Sequence, residues 1–348
     1  MMRHVDKVLF LSAALALASC GSRDIIKDVP TRLVKAGETI SLEKDSSFKG
    51  NFPEVLNCVD LRVAGDSTLV LQDQVTDDNP YHFKAYSTNS SKYLGEFARE
   101  GNGPGELVSP VMVKTNAGTD RLAIKMNGTG KSCFLDVRES IISKNAVSAR
   151  SLDLPANTVD WLPLADSSMF ILAEGKGEMT YQRVDNGTVS RSLNLYEGFG
   201  WQCATQLSAV LVGDGAKGKM AEVMVLLPQI NIIDTKSGEI RPIAVDKAYK
   251  NWESIIHERL SLDSVEYYTS ATSSDKYIFA VYKALPAGER SDLHNLSIHV
   301  FDWDGNFLYD CRVKENIGNI TFDGAGNYLY CVEKPEGRVV RYDFGFLR

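Results

Sequence analysis

A unit of about fifty residues recurs six times along this chain, and no other feature restricts the fold as tightly. Each unit carries a turn followed by a nearly continuous apolar run: VAGDSTLVLQ, TNAGTDRLAIKM, LADSSMFILAE, AEVMVLL after a Gly-rich turn, SSDKYIFAVY and FDGAGNYLYCVE. Taking Leu69, Leu122, Phe170, Val223, Tyr277 and Tyr328 as strand starts, the steps are 53, 48, 53, 54 and 51 residues. The unit is plainest from Leu296 to Phe344, where Asp304-Gly305 and Gly326-Asn327 supply residues that tolerate positive φ as strands reverse. A second mark is an apolar run ending in Asp, at Asp136, Asp185, Asp234, Asp302 and Asp343, the first three 49 residues apart. An Asp at that place accepts backbone N–H groups of the following turn, so the spacing predicts turn caps rather than a catalytic set.

Six units of this length, each with about four short strands, predict an all-β chain folded as a six-bladed β-propeller with four-stranded antiparallel blades. The apolar second strands fit burial on both faces, as when each blade lies between two others. The sixth unit stops after its third strand at Phe344, so an N-terminal strand is expected to close the last blade. Thr39-Ile40-Ser41-Leu42, which alternates in strand fashion, is the expected donor.

The N-terminus predicts an address. Arg3 and Lys7 precede an apolar run from Val8 to Ala18, too short to span a bilayer but suited to a secretory signal. It ends in Leu17-Ala18-Ser19-Cys20, which resembles the bacterial lipobox. The resemblance implies a signal peptide over residues 1–19, cleavage before Cys20 and acylation of its thiol, with several acyl chains holding the protein to a membrane. Residues 20–32 then read as the lipidated cysteine and a polar tether, and 33–348 as the propeller. Surface-exported lipoproteins of the Bacteroidota often carry an acidic run after the cysteine; here only Asp24 stands there, so a periplasm-facing outer-membrane lipoprotein is expected. Without the first nineteen residues, which carry a net +1, the formal charge falls from −7 to −8. An acidic chain with no basic cluster is a poor ligand for nucleic acid, and none is expected as a partner.

Little in the sequence announces chemistry. Cys58, Cys133, Cys203, Cys311 and Cys331 are scattered and odd in number, which suits buried free thiols; Cys311 and Cys331, on neighbouring predicted strands, are the pair to test for a bridge. His82, His257, His294 and His299 have no spacing that would make them converge. Asp73, Asp77 and Asp78 before Pro80 read as acidic turn residues with only a faint likeness to a calcium loop. No metal, cofactor or catalytic set is assigned.

Between the first two units lies GEFAREGNGPGEL, residues 95–107. Three glycines and a proline among Gly101, Gly103, Pro104 and Gly105, flanked by Arg99 and Glu106, set a turn that either holds an anion or locks one blade to the next. With the blade period, this stretch resembles the six-bladed propellers of the TolB-like and NHL-like kind, particularly a lipoprotein set of the Bacteroidota in which a similar segment links adjacent blades. Residues 248–268 place Trp252, Ile255, Ile256 and Leu260 at helical spacing, and Ala284 to Asn295 lengthens a loop. Asp66-Ser67-Thr68 and Asp263-Ser264-Val265 resemble a short O-glycosylation signal of exported Bacteroidota proteins. The expected function is a membrane-anchored binding or scaffold module for a peptide, glycan or protein partner. The alternative is a propeller hydrolase or lyase, lactonase-like, with an axial metal held by side chains from several blades.

Overall fold

The computed structural model describes residues 24–65, 67–115, 120–127, 131–152, 154–155, 157–164, 168–175, 177–200, 203–289 and 296–347. Within them the strands assemble into six sheets, one per repeat. The first blade is Cys58–Ala64, Thr68–Asp73, Tyr81–Ser87 and Tyr93–Arg99, paired in sequence order. The second is Pro110–Met112, Arg121–Met126, Ser132–Asp136 and Ser148–Leu152; the third is Thr158–Pro163, Met169–Gly175, Glu178–Asp185 and Thr188–Leu193. Ala209–Asp214, Lys219–Met224, Gln229–Asp234 and Ile240–Ala244 form the fourth, and Val265–Ser273, Tyr277–Pro286, Leu296–Asp302 and Phe307–Val313 the fifth. Ile317–Asp323, Tyr328–Glu333 and Arg338–Asp343 form the sixth.

The second strands are the most deeply buried because neighbouring blades cover both their faces: Val70, Ile124, Ile171, Val223, Phe279 and Leu329 are all essentially inaccessible. Aromatic pairs tie blade to blade, as where Phe279 of the fifth blade stacks on Phe322 of the sixth with ring centroids 4.5 Å apart. Four of the five recurrent aspartates behave as turn caps, while Asp185 instead holds the Arg183 guanidinium and the Ser190 hydroxyl. Asp234 Oδ1 accepts from the backbone of Lys236 and Ser237, Asp302 Oδ1 from Asp304 and Asn306, and Asp343 Oδ1 from Gly345. Asp136 caps a short helix, α1 (Val137–Ser143), through the Glu139 N–H.

The N-terminal chain does more than close the ring. Arg32 and Leu33 pair in parallel with Ile243 and Ala244 on the outer edge of the fourth blade, and Glu38–Ser41 pair in parallel with Tyr309–Arg312 on the fifth. The stretch expected to complete the sixth blade therefore extends the fifth instead. Closure is made a few residues later: Lys44 bridges Tyr342 in antiparallel register, Asp45 N–H donates to Arg341 O at 2.7 Å, and Val339 N–H donates to Gly50 O at 3.2 Å. The reason is side-chain chemistry. The Arg341 guanidinium lies 3.9 Å from the Tyr328 ring centroid and 4.8 Å from that of Phe48, and both its Nε and Nη2 donate to Asp45 Oδ2, which pins residues 44–50 to that edge. Hydrogen bonds from Ser47 and this guanidinium hold the Asp45 carboxyl down at about 2.

Two sequence expectations need correction. Part of the stretch read as polar tether is packed: Ile25 and Ile26 are 3% and 2% exposed and join the core cluster that includes Trp252 and Ile256. The short helix expected within 248–268 is present, as a 3₁₀ turn over Lys247–Asn251 and α2 over Trp252–His257, but Leu260, read as part of its apolar face, lies in the loop beyond it. Cys58, Cys133, Cys203, Cys311 and Cys331 are all free and buried, so no bridge joins Cys311 to Cys331.

Candidate functional site

The Gly-rich link between the first two blades satisfies itself. Gly103 N–H donates to Glu106 Oε2 at 2.8 Å, Glu106 N–H returns to Gly103 O at 3.1 Å, and Leu107 N–H reaches Arg99 O at 2.9 Å. Gly101 and Gly105 both have positive φ, and a Cβ on Gly101 would collide with the Glu106 carboxylate while one on Gly105 would press on Asn145 at 2.8 Å. The Glu106 carboxylate thus occupies the inside of the turn, Ala146 N–H bonded to Gly105 O at 2.7 Å ties it to the chain after α1, and beside the turn lies a cavity of about 540 Å³ lined also by Lys131 and Ser148. These bonds tie the turn to the second blade. Arg99 and Pro104 are exposed.

The other candidates have structural work. Asp73 is buried and accepts from the backbone of Leu56, Asn57 and Gln74 and from Asn79 Nδ2, with the Lys84 ammonium 3.7 Å away. His82 Nε2 lies 3.1 Å from Leu107 O and 2.8 Å from the Glu100 carboxylate. His299 is enclosed by Tyr268, Tyr282, Phe301 and Phe307, and burial pushes its imidazole down to about 3. His257 is exposed, and His294, Cys20 and Asp66 lie outside the described residues. Ser264 sits half-buried in a loop.

What the structure brings together lies instead on the innermost strands. Their registers slip at comparable places: between Cys58 and Asp60 in the first blade, Thr158 and Asp160 in the third, Tyr268 and Ser270 in the fifth, and Ile317 and Ile320 in the sixth. Such bulges re-aim side chains. Asp60 and Asp160 each accept the next residue's N–H at 2.9 Å, and both line one cavity of about 220 Å³ with Lys114 and Lys125 of the second blade, Val113, Trp161 and Val210. Lys114 Nζ crosses to the far side, donating to Ser270 Oγ at 3.0 Å and Asn319 Oδ1 at 2.9 Å. Side chains from the first, second, third, fifth and sixth blades therefore meet across the ring. Together they make an axial channel.

The charges there are unevenly matched. Asp60 is held in the Arg62 fork at 3.1 and 3.2 Å. Among the described residues, Lys114, Lys125 and Asp160 have no oppositely charged partner within 4.0 Å; Lys125 Nζ donates to Val159 O and Asp160 accepts only from Trp161 N–H. Protein surrounds both Lys114 and Asp160, although each keeps some surface on the channel. Burial therefore lowers the Lys114 ammonium to about 8, with Arg62 adding to the shift, while burial raises the Asp160 carboxyl against the pull of Lys125. No three His, Cys, Asp or Glu side chains among the described residues converge on one point.

The Lys114 shift has a stability consequence. The unfolded chain keeps that proton up to the ordinary lysine value of 10.5 while the folded protein gives it up near 8, so this group makes stability rise with pH across that window. Urea unfolding of wild type and Lys114→Met, compared from about pH 7 to pH 9.5, is expected to show the wild type gaining on the variant as pH rises. A constant difference would mean that the ammonium is solvated as in the unfolded chain.

No protein-family model matches the sequence, and no curated protein matches it. Solved structures do. A Bacteroides fragilis protein thought to be exported aligns over 87% of this chain and 94% of its own, with a TM-score of 0.51 and 13% identity. A luciferin-regenerating enzyme aligns over 86% and 94%, with a TM-score of 0.50 and 10% identity. At such identities the likeness establishes the propeller fold and nothing finer.

Proposed function

We propose that this protein is a lipid-anchored protein of the bacterial cell envelope whose propeller is a binding module, and that its axial channel takes the carboxyl end of a peptide. One observation carries the ligand class. Lys114, Lys125 and Asp160 share a single narrow cavity without ion-pairing, and unpaired charges held largely out of water are costly until a bipolar group arrives. A terminal carboxylate would answer the two ammonium groups, and the last amide N–H would answer Asp160. A cavity of about 220 Å³ admits one residue-sized group, which suits a chain end better than a neutral glycan.

The address rests on the likeness of Leu17-Ala18-Ser19-Cys20 to a lipobox, with the exported Bacteroides fragilis protein as a fold neighbour in keeping with it. The outer membrane, facing the periplasm, is the placement proposed. The hydrolase or lyase alternative has less to stand on. Asp60 is already in the Arg62 fork, Asn319 accepts from Lys114, and an axial cation would share the channel with two ammonium groups.

A pool of short peptides differing in their last residue, offered with free and with amidated carboxyl ends, tests the ligand class by thermal upshift. Free-acid peptides are expected to stabilise the wild type, amidated ones to leave it unchanged, and Lys114→Met to abolish the difference. Equal response to both forms, or to neither, contradicts the reading.

A further inference from the structure

We infer that the loop after α2, led by Leu262, enters the bilayer beside the lipid anchor, so that the protein rests on the membrane by one fixed side. The inference rests on the proposed acylation of Cys20. Four residue steps separate Cys20 from Asp24, and an extended chain covers them in at most about 14 Å. From there the chain has no slack, because Ile25 and Ile26 are buried in the cluster that holds Trp252, the first residue of α2. An anchor so close to the packed strap cannot let the propeller swing free. It brings the membrane to the side on which α2 lies.

That side carries an apolar projection. Helix α2 is only about 9 Å long, and just beyond it Leu260, Leu262 and Val265 are 37%, 73% and 36% exposed. Leu262 is the most exposed large apolar side chain among the described residues. The backbone presenting it is braced: Gly288 N–H donates to Leu262 O at 2.7 Å, and Ala287 N–H to Ser264 O at 2.9 Å. A braced loop that holds leucines in water is costly unless something apolar receives them. Glu258, Arg259 and Asp263 beside them form no basic cluster, so the surface suits a zwitterionic bilayer rather than an anionic one.

The test uses the natively acylated full-length protein in phosphatidylcholine vesicles, after mass spectrometry of its N-terminus. A nitroxide is placed at Leu262→Cys or, as a control, at Ile142→Cys on α1, a side chain 69% exposed; the five cysteines of the propeller are buried and spare the label. The expected result is that the label at 262 loses access to a water-soluble nickel relaxant and gains access to oxygen, while the label at 142 stays in water. Both labels in water on an acylated protein would overturn the inference, leaving the loop to a protein partner or to solvent. An unacylated Cys20 would overturn it together with the anchor, and the mass spectrum tells the two failures apart.

Discussion

Glu222→Ala is expected to cost about 3–5 kcal/mol of stability, the largest loss from any single polar substitution in this chain, and to lower the melting temperature by about 10 °C. Glu222 is 1% exposed, between the third and fourth blades. Its Oε1 accepts from Tyr181 Oη at 2.5 Å, and its Oε2 from Tyr196 Oη at 2.6 Å and Asn231 Nδ2 at 2.7 Å. Asn231 Oδ1 in turn accepts from Gln229 Nε2 at 2.8 Å. Removing the carboxyl strands the Tyr181 phenol in a dry interior and leaves Tyr196 and Asn231 little beyond their own 3.2 Å bond and the Met224 sulfur. Glu222→Gln keeps the shape and most of the hydrogen bonds, so its cost should stay within about 1 kcal/mol.

The same group has a pH signature. Burial raises its pKa, against the pull of the two tyrosines and Asn231. The native state therefore holds that proton longer than the unfolded chain, and the contribution declines as pH rises above the ordinary 4.5. Chemical unfolding of wild type and Glu222→Gln across that range checks both statements. The wild type should lose ground to the variant as pH rises, and a wild type that gains instead would contradict the account.

The second large effect is expected from the N-terminal strap. Ile25→Ala and Ile26→Ala should each cost about 2–5 kcal/mol, because each empties a buried site that the strap alone fills. Deleting residues 24–42 should be worse than the pair, since it also strips the outer edges of the fourth and fifth blades of their parallel partners. Bare strand edges pair with one another, so the deleted protein is expected to associate as well as melt early. Calorimetry with sedimentation velocity separates these outcomes. A deleted protein that stays monomeric and melts with the wild type would show that the strap is mere decoration.

The fold was legible because blades repeat. Leu69, Leu122 and Phe170 lie one residue inside the observed second strands, and Tyr277 and Tyr328 begin theirs; only Val223 is late, by four, because the Gly-rich turn ends earlier than its composition suggests. The strap was misread for a physical reason. Ile25-Ile26 is too short to show a period among charged neighbours, and its burial depends on Trp252, more than two hundred residues away. The channel left a fainter trace. Asp60 and Asp160 both stand in V-D-apolar runs at the start of a blade, Cys58-Val59-Asp60-Leu61 and Thr158-Val159-Asp160-Trp161, but the bulges that turn them inward are set by pairing across the sheet. The motif that did stand out, Gly101 to Glu106, fills itself with its own side chain.

Titration calorimetry of the wild type and Lys114→Met with the free-acid peptides that give the largest thermal upshift tests the central claim most directly. The account predicts binding to the wild type at one site per chain, weakened at least about tenfold by Lys114→Met and comparably by Asp160→Asn. Binding that survives both substitutions unchanged would place the ligand elsewhere on the propeller and contradict the assignment of the axial channel.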